Sequence, residues 1–231
     1  MRTAILVDGA YYLKITRSVF GQEKPKDTVD RLYKYCMRHL KDKRDDKIIY
    51  NDLYRIFYYD CPPLNTNVYH PYLKKDIHLG KTEQYKWMTT FIKELKKQRK
   101  LALRLVTLSD YDLNYNLKFS TTKKLLSNKI KVEDLEESDF QLNVRQKGVD
   151  MKIGVDISSL SYKNQVDQIV LIAGDSDFVP ASKLARREGI DFILDPLGKR
   201  IKDDLFEHID GLKARDAAYY NSKLLQEKAK E

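Results

Sequence analysis

No stretch of this 231-residue chain stays apolar long enough to span a bilayer. The amino terminus also lacks the charged, then apolar, then small pattern of a secretory leader, because Ile5 to Val7 runs straight into an acid. Both absences give the expectation of a soluble, cytoplasmic protein with no membrane partner. Cysteine is scarce: Cys36 and Cys61 are too few and too far apart for a disulfide framework or a thiolate metal site, and both read as reduced. The histidines, His39, His70, His78 and His208, fall at no metal-ligand spacing. A Gly-x-x-x-x-Gly-Lys-Ser/Thr loop is missing, which disfavours nucleotide-driven work. With no internal repeat either, residues 1–231 read as one α/β domain.

What the chain does carry is positive charge. Lysine and arginine number 43 against 34 aspartates and glutamates, for a formal net charge of +9. Such an excess suits a polyanionic partner, and it equally suits plain solubility. Against that background the acids at one stretch stand out. Val170 to Ala173 has the pattern of a buried parallel strand, stops at Gly174-Asp175-Ser176-Asp177-Phe178, and Val179 to Ala185 then reads as a helix. Ala4 to Val7 ends the same way at Asp8-Gly9. In an open α/β sheet such strand-to-helix turns lie at the carboxyl edge, where ligands bind. If the two strands are neighbours, Asp8, Asp175 and Asp177 converge, and clustered carboxylates need a cation to offset their repulsion.

In chain order, Thr3 to Val7 is the expected first strand and Tyr11 to Phe20 a helix closed by Gly21. Val29, Leu32, Tyr33, Cys36 and Leu40 recur at helical spacing and predict a helix from about Thr28 to Lys41. Lys47 to Tyr59 reads as a single second strand ended by Asp60-Cys61-Pro62-Pro63. Leu64 to Lys81 has no period and reads as a long loop, followed by a helix over Thr82 to Lys100 and a strand over Leu101 to Leu108. The region from about 109 to 140 reads as an insertion with a hairpin through Phe140 to Val144. Lys147-Gly148-Val149-Asp150 opens a helix to about Leu160, Gln168 to Ala173 is a strand, and Asp177 to Glu188 is a helix in which Pro180 is tolerated in the first turn. A fifth strand over Ile190 to Leu194 ends at Asp195-Pro196, and the tail from about 200 to 231 reads as a helical extension broken near Gly211. Alternation of strands and helices argues for a parallel sheet with helices on both faces.

Val7-Asp8-Gly9, Lys147-Gly148-Val149-Asp150 and Gly174-Asp175-Ser176-Asp177-Phe178, in that order and each at an element boundary, resemble the motif set of the NYN domain. This is the PIN-like nuclease family that includes the LabA-like bacterial proteins, and the resemblance runs from Met1 to about Asp195. It implies a Rossmann-like, three-layer α/β fold with a central, mostly parallel sheet of about five strands, and metal-dependent endonucleolytic cleavage of RNA. Matched to the family's acidic site, Asp8, Asp150, Asp175 and Asp177 become the catalytic and metal-holding residues. Many family members carry asparagine three residues after the first aspartate, where this chain has Tyr11.

The chemistry agrees with that assignment. Phosphodiester hydrolysis needs a deprotonated water and neutralised charge on the transition state, and Mg²⁺ or Mn²⁺ held by carboxylate oxygens supplies both. Lys147 and Lys152, nearest in sequence to the acids, are the expected grips on the strand, with Tyr11 and Ser176 as further substrate contacts. Plainer readings stand beside these: Asp177 and Asp150 as helix caps, Asp156 off the face of Asp150, Asp195 as part of an ordinary turn, and the tyrosine pairs as core. Three functions follow in order: a metal-dependent endoribonuclease, an RNA-binding or regulatory module without turnover, and a phosphatase or phosphotransferase of another α/β family. A homodimer stays open.

Overall fold

The computed structural model describes residues 1–44, 46–106, 113–144 and 148–214. The first strand, β1 (Arg2–Asp8), is buried from Thr3 to Val7 and leads into α1 (Gly9–Phe20). Gly21, at φ 74°, closes that helix and returns its N–H to the Arg17 carbonyl. α2 (Pro25–His39) begins on proline, whose missing N–H costs nothing in a first turn, and buries Val29, Leu32, Tyr35, Cys36 and His39.

The expected strand over 47–59 is two elements. After β2 (Lys41–Arg44), its partner β3 (Lys47–Tyr50) completes an antiparallel hairpin, and β4 (Asp52–Asp60) starts afresh. Asn51 makes the break: its backbone N–H bonds to the Leu40 carbonyl at 2.8 Å and its side chain reaches Gln168. Ile48, Ile49 and Tyr50 are consequently exposed, although their composition suggests core.

Beyond β4 lie β5 (Asn67–His70), β6 (Lys75–His78), α3 (Glu83–Leu95) and β7 (Leu101–Leu105). Next come β8 (Asn114–Leu117), α4 (Phe119–Leu126) and β9 (Phe140–Asn143). The chain continues with α5 (Val149–Tyr162), β10 (Gln168–Ile172), α6 (Val179–Arg187), β11 (Asp191–Asp195), α7 (Asp203–Phe206) and β12 (Gly211–Leu212).

Two compact units result. One comprises Met1–Asp60, Thr90–Val106 and Gly148–Glu231, the other Cys61–Thr89 and Thr107–Lys147. In the second, the expected loop over 64–81 contains the antiparallel β5–β6 hairpin, and β9 pairs with β8 across the whole length of the insertion. His70 packs there at 4.3 Å from the Tyr115 ring and 5.5 Å from Phe140, so it is a core histidine of this unit.

The first unit holds the central sheet. Among the described residues it has six strands in the order β12-β11-β10-β1-β4-β7, one more than the sequence suggests, and each neighbouring pair is parallel. The additional strand is β12, in the tail expected to be helical. Asp210 pins it, accepting from the Phe192 N–H at 2.9 Å and from Arg186 Nε at 2.8 Å. Residues 215–231 of that tail lie outside the described residues.

From β1 the chain steps outward to β4 and β7, then returns past β1 to β10, β11 and β12. Right-handed crossovers therefore put α1 and α2 on one face and α5 and α6 on the other. The side chains agree. Tyr58 meets Phe91 of α3 edge-on at 5.7 Å and fills the space beside Gly9, while the next residue, Tyr59, points the other way and donates to Asp156 of α5 at 2.8 Å. The reversal of direction lies between β1 and β10, and the crevice at such a switch point is where open α/β sheets bind ligands.

Candidate active site

Parallel strands carry their carboxyl ends to one edge, and here each of several strands delivers an acid to it. Asp8 ends β1, Asp60 ends β4, Asp195 ends β11, and Asp175 follows β10 after two residues. Asp8 and Asp175 flank the switch-point crevice, because Val7 of β1 pairs with Ile172 of β10.

Asp8 is mostly buried. Its Oδ1 accepts the Tyr11 backbone N–H at 3.1 Å, capping α1. Burial nevertheless pushes its pKa up to about 6, and the Asp150 and Asp60 carboxylates push the same way, against backbone hydrogen bonds from Tyr11 and Ala10. Asp150 stands in the first turn of α5, after Gly148, whose φ of 95° is a left-handed conformation suited to glycine. Burial also raises Asp150 above the ordinary carboxylate range, and the charges of Asp175 and Asp177 add to it. Asp150 is thus within electrostatic reach of Asp8 on one side and of Asp175 and Asp177 on the other, so it links acids from three separate segments. Asp175 and Asp177 are exposed, and Asp175 Oδ1 accepts the Asp177 N–H at 3.2 Å.

The capping roles weighed for two of these acids are taken elsewhere or unfilled. Gly148 is the N-cap of α5, and Phe178 is the N-cap of α6 with no side-chain bond. Asp177 lies instead in the short 3-10 turn Ser176–Phe178, anchored by the fully buried Phe178. Ser176 is thereby placed by its backbone between Asp175 and Asp177.

Tyr11 lies at the same edge. Its hydroxyl donates to the Pro196 carbonyl at 2.6 Å, and a Cβ on Gly174 would stand 2.5 Å from its ring. Gly174 is therefore the space that Tyr11 occupies, and burial holds the tyrosine proton firmly. Lys152, exposed on α5, donates to the Leu105 carbonyl at 2.6 Å, at the end of β7. Lys147 lies outside the described residues.

Two further acids lie at this edge: Asp60, which the sequence does not single out, and Asp195, which it reads as part of an ordinary turn. Asp60 is 3% exposed, accepts from Tyr58 Oη at 3.0 Å and lies within electrostatic reach of Arg17. Its signal was present, since it ends an apolar run as Asp8 does. Asp195 has no exposed surface: one oxygen accepts from Tyr35 Oη at 2.6 Å and lies 2.7 Å from His39 Nε2, and the other accepts the Leu197 N–H at 2.8 Å. Asp156, for its part, bonds Tyr59 and, at 2.9 Å, Arg104, and so ties α5 to the sheet.

As the side chains stand, no three His, Cys, Asp or Glu among the described residues surround a common point closely enough to hold a metal ion. The donor chemistry at the edge is nonetheless that of a hard cation: carboxylate oxygens, with no thiolate among them. No described helix is long and apolar enough to cross a membrane.

A family model for the NYN domain matches residues 65–200. The matched span contains Asp150, Asp175 and Asp177 and begins after β1, so it is narrower than the motif resemblance, which started at Met1. No curated protein matches the chain. Among solved structures, a Vibrio parahaemolyticus protein of unknown function is similar at 12% identity, covering 92% of this chain and 91% of the other with a TM-score of 0.46.

Proposed function

The chain belongs to the NYN domain family, a family of nucleases acting on RNA, and from that premise we propose that it is a metal-dependent endoribonuclease. One observation carries the reading: acids from separate segments meet at the switch-point crevice, where burial first and the neighbouring Asp150 and Asp60 carboxylates second raise the Asp8 pKa to about 6. Crowding of like charge is a cost in a fold without a partner for it. A divalent cation removes that cost and would supply the lowered water pKa and transition-state charge neutralisation that phosphodiester hydrolysis requires.

Asp8 and Asp175 would hold the ion most directly, with Asp150 as a ligand or a water-positioning group and Asp177 acting through water. Asp8 is suited to this because the α1 cap and the buried strand end fix its carboxylate in place. Lys147 and Lys152 would grip the phosphates of the strand, and the Ser176 and Tyr11 region would line its path. The overall excess of 43 basic over 34 acidic residues draws a polyanion toward an acid-lined edge.

A second reading rests on its own observations. Tyr11 stands where many family members have asparagine and commits its hydroxyl to Pro196, and among the described residues no three ligands converge as the side chains stand. An RNA-binding module without turnover fits those facts. Labelled RNAs, transfer RNA included, incubated with Mg²⁺, Mn²⁺ or EDTA separate the two. Metal-dependent cleavage that disappears in Asp175→Asn, with RNA affinity retained, supports the nuclease. Tight binding without cleavage supports the module.

A further inference from the structure

α5 is apolar on two sides. Val149, Ile153, Ile157 and Leu160 are buried beneath it, while Met151 and Val155 are 75% and 61% exposed on the other side. In a chain whose residues are 33% charged, that outer side carries no charge beyond its first turn. Lys152 and Asp156 are turned to Leu105 and Arg104. Together with Pro180, Ala181 and Leu184 of α6, the outer side of α5 walls a groove of about 500 Å³ floored by Phe178. That volume falls within the range of about 300–1,000 Å³ typical of small-ligand sites.

Two features say what the groove is for. Asp150 and Asp177 line its end, so it is continuous with the acid cluster. Gly154 lies along its wall, inside a helix that glycine weakens. A Cβ there would meet nothing within 4 Å, so packing within the chain does not call for the glycine. What the missing side chain does is widen the groove.

We propose that this groove receives an unstacked nucleobase of the RNA whose phosphate lies at the acid cluster. The proposal rests on the nuclease-family reading of that cluster. An apolar, neutral wall beside a phosphate site matches the flat face of a base, and such van der Waals contact tolerates any base because all present one. A base held in a duplex enters only after it is unpaired and unstacked, so paired RNA binds more weakly.

Fluorescence anisotropy of a labelled single-stranded oligoribonucleotide in Ca²⁺, a hard cation that carboxylates hold, tests this by binding alone. Wild type is compared with Gly154→Leu, which fills the groove while improving helix propensity, and with Val155→Glu, which places charge on an exposed wall. Both variants are expected to keep the wild-type melting temperature or exceed it and to lose roughly tenfold or more in affinity, the weight of one base contact. Abasic substitution walked along the RNA should weaken wild-type binding at one position and cost Gly154→Leu nothing further there. Folded variants with wild-type affinity overturn the proposal. If they instead shift a wild-type dimer to monomer and leave RNA binding intact, the groove belongs to a second copy of the chain. Wild type that binds no RNA overturns the groove and the family reading together, whereas wild type that binds through the groove but does not cleave sinks the nuclease reading alone.

Discussion

Two strand-end acids sit at the same edge of the same sheet and are treated in opposite ways. Asp195, at the end of β11, has no exposure and is saturated by Tyr35, His39 and the Leu197 N–H. Asp8, two strands away, has a backbone cap and otherwise faces more carboxylates. A buried acid surrounded by donors is a structural joint, here fastening α2 to the sheet. An acid surrounded by acids is strain kept in place by the rest of the fold, and such strain gathers at functional sites.

The largest expected break in that comparison is catalytic. Asp175→Asn should lower single-turnover RNA cleavage on the order of a thousandfold, as expected when several kcal/mol of transition-state stabilisation are lost. Melting temperature should hardly move, since Asp175 is exposed and its one hydrogen bond in the turn can be made by asparagine. The joint should respond the other way. His39→Leu leaves Asp195 buried without one of its partners and should cost about 3–5 kcal/mol of unfolding free energy, read from urea denaturation. RNA cleavage by the fraction that remains folded should be unaffected.

Asp8→Asn sharpens the contrast because it should stabilise the fold while abolishing cleavage. The folded pKa of about 6 lies above the ordinary value of 3.8, so stability linked to the Asp8 proton is fully present below pH 3.8 and is lost as pH rises through about 6. Asparagine keeps the cap and never ionises. In EDTA the variant should match wild type below about pH 3.8 and exceed it by about 3 kcal/mol above pH 7, in urea titrations at each pH. Equal pH dependence of the two proteins would remove Asp8 as the strained group. The smallest effect concerns Tyr11. Tyr11→Phe, which loses the bond to Pro196, should cost about 1 kcal/mol. Gly174→Ala should cost about as much by crowding the Tyr11 ring, and that crowding should vanish in the Tyr11→Ala background.

Legibility in the sequence followed the distance over which each interaction acts. β1 and β10 could be read because apolar runs ending in Asp8-Gly9 and Gly174-Asp175 are written in consecutive residues. α2 could be read from its helical spacing, and α5 from the Gly148-Val149-Asp150 start. Asp60 carried the same strand-end signal and was passed over, since a following Pro-Pro explains a stop equally well. The division of residues 47–59 into β3 and β4 was hidden because Asn51 acts through Leu40 and Gln168, and nothing local marks it as a break. The hairpin over 67–78 and the pairing of β8 with β9 were hidden for a related reason. Short, polar strands lack a period, and their partners are chosen by the cluster around His70.

Local chemistry therefore settled the class of the fold and the order of its main elements, and marked the acids that close apolar runs, because backbone preference, burial pattern and carboxylate chemistry act within a few residues. It was silent on which acids are satisfied. Asp195 and Asp8 read alike on the page, each closing an apolar run. Their fates diverge because His39 and Tyr35 arrive from 156 and 160 residues away, while Asp150 arrives from a helix start in a different segment. Burial and Coulomb interactions depend on distance in space, and that distance exists only once the sheet has been assembled.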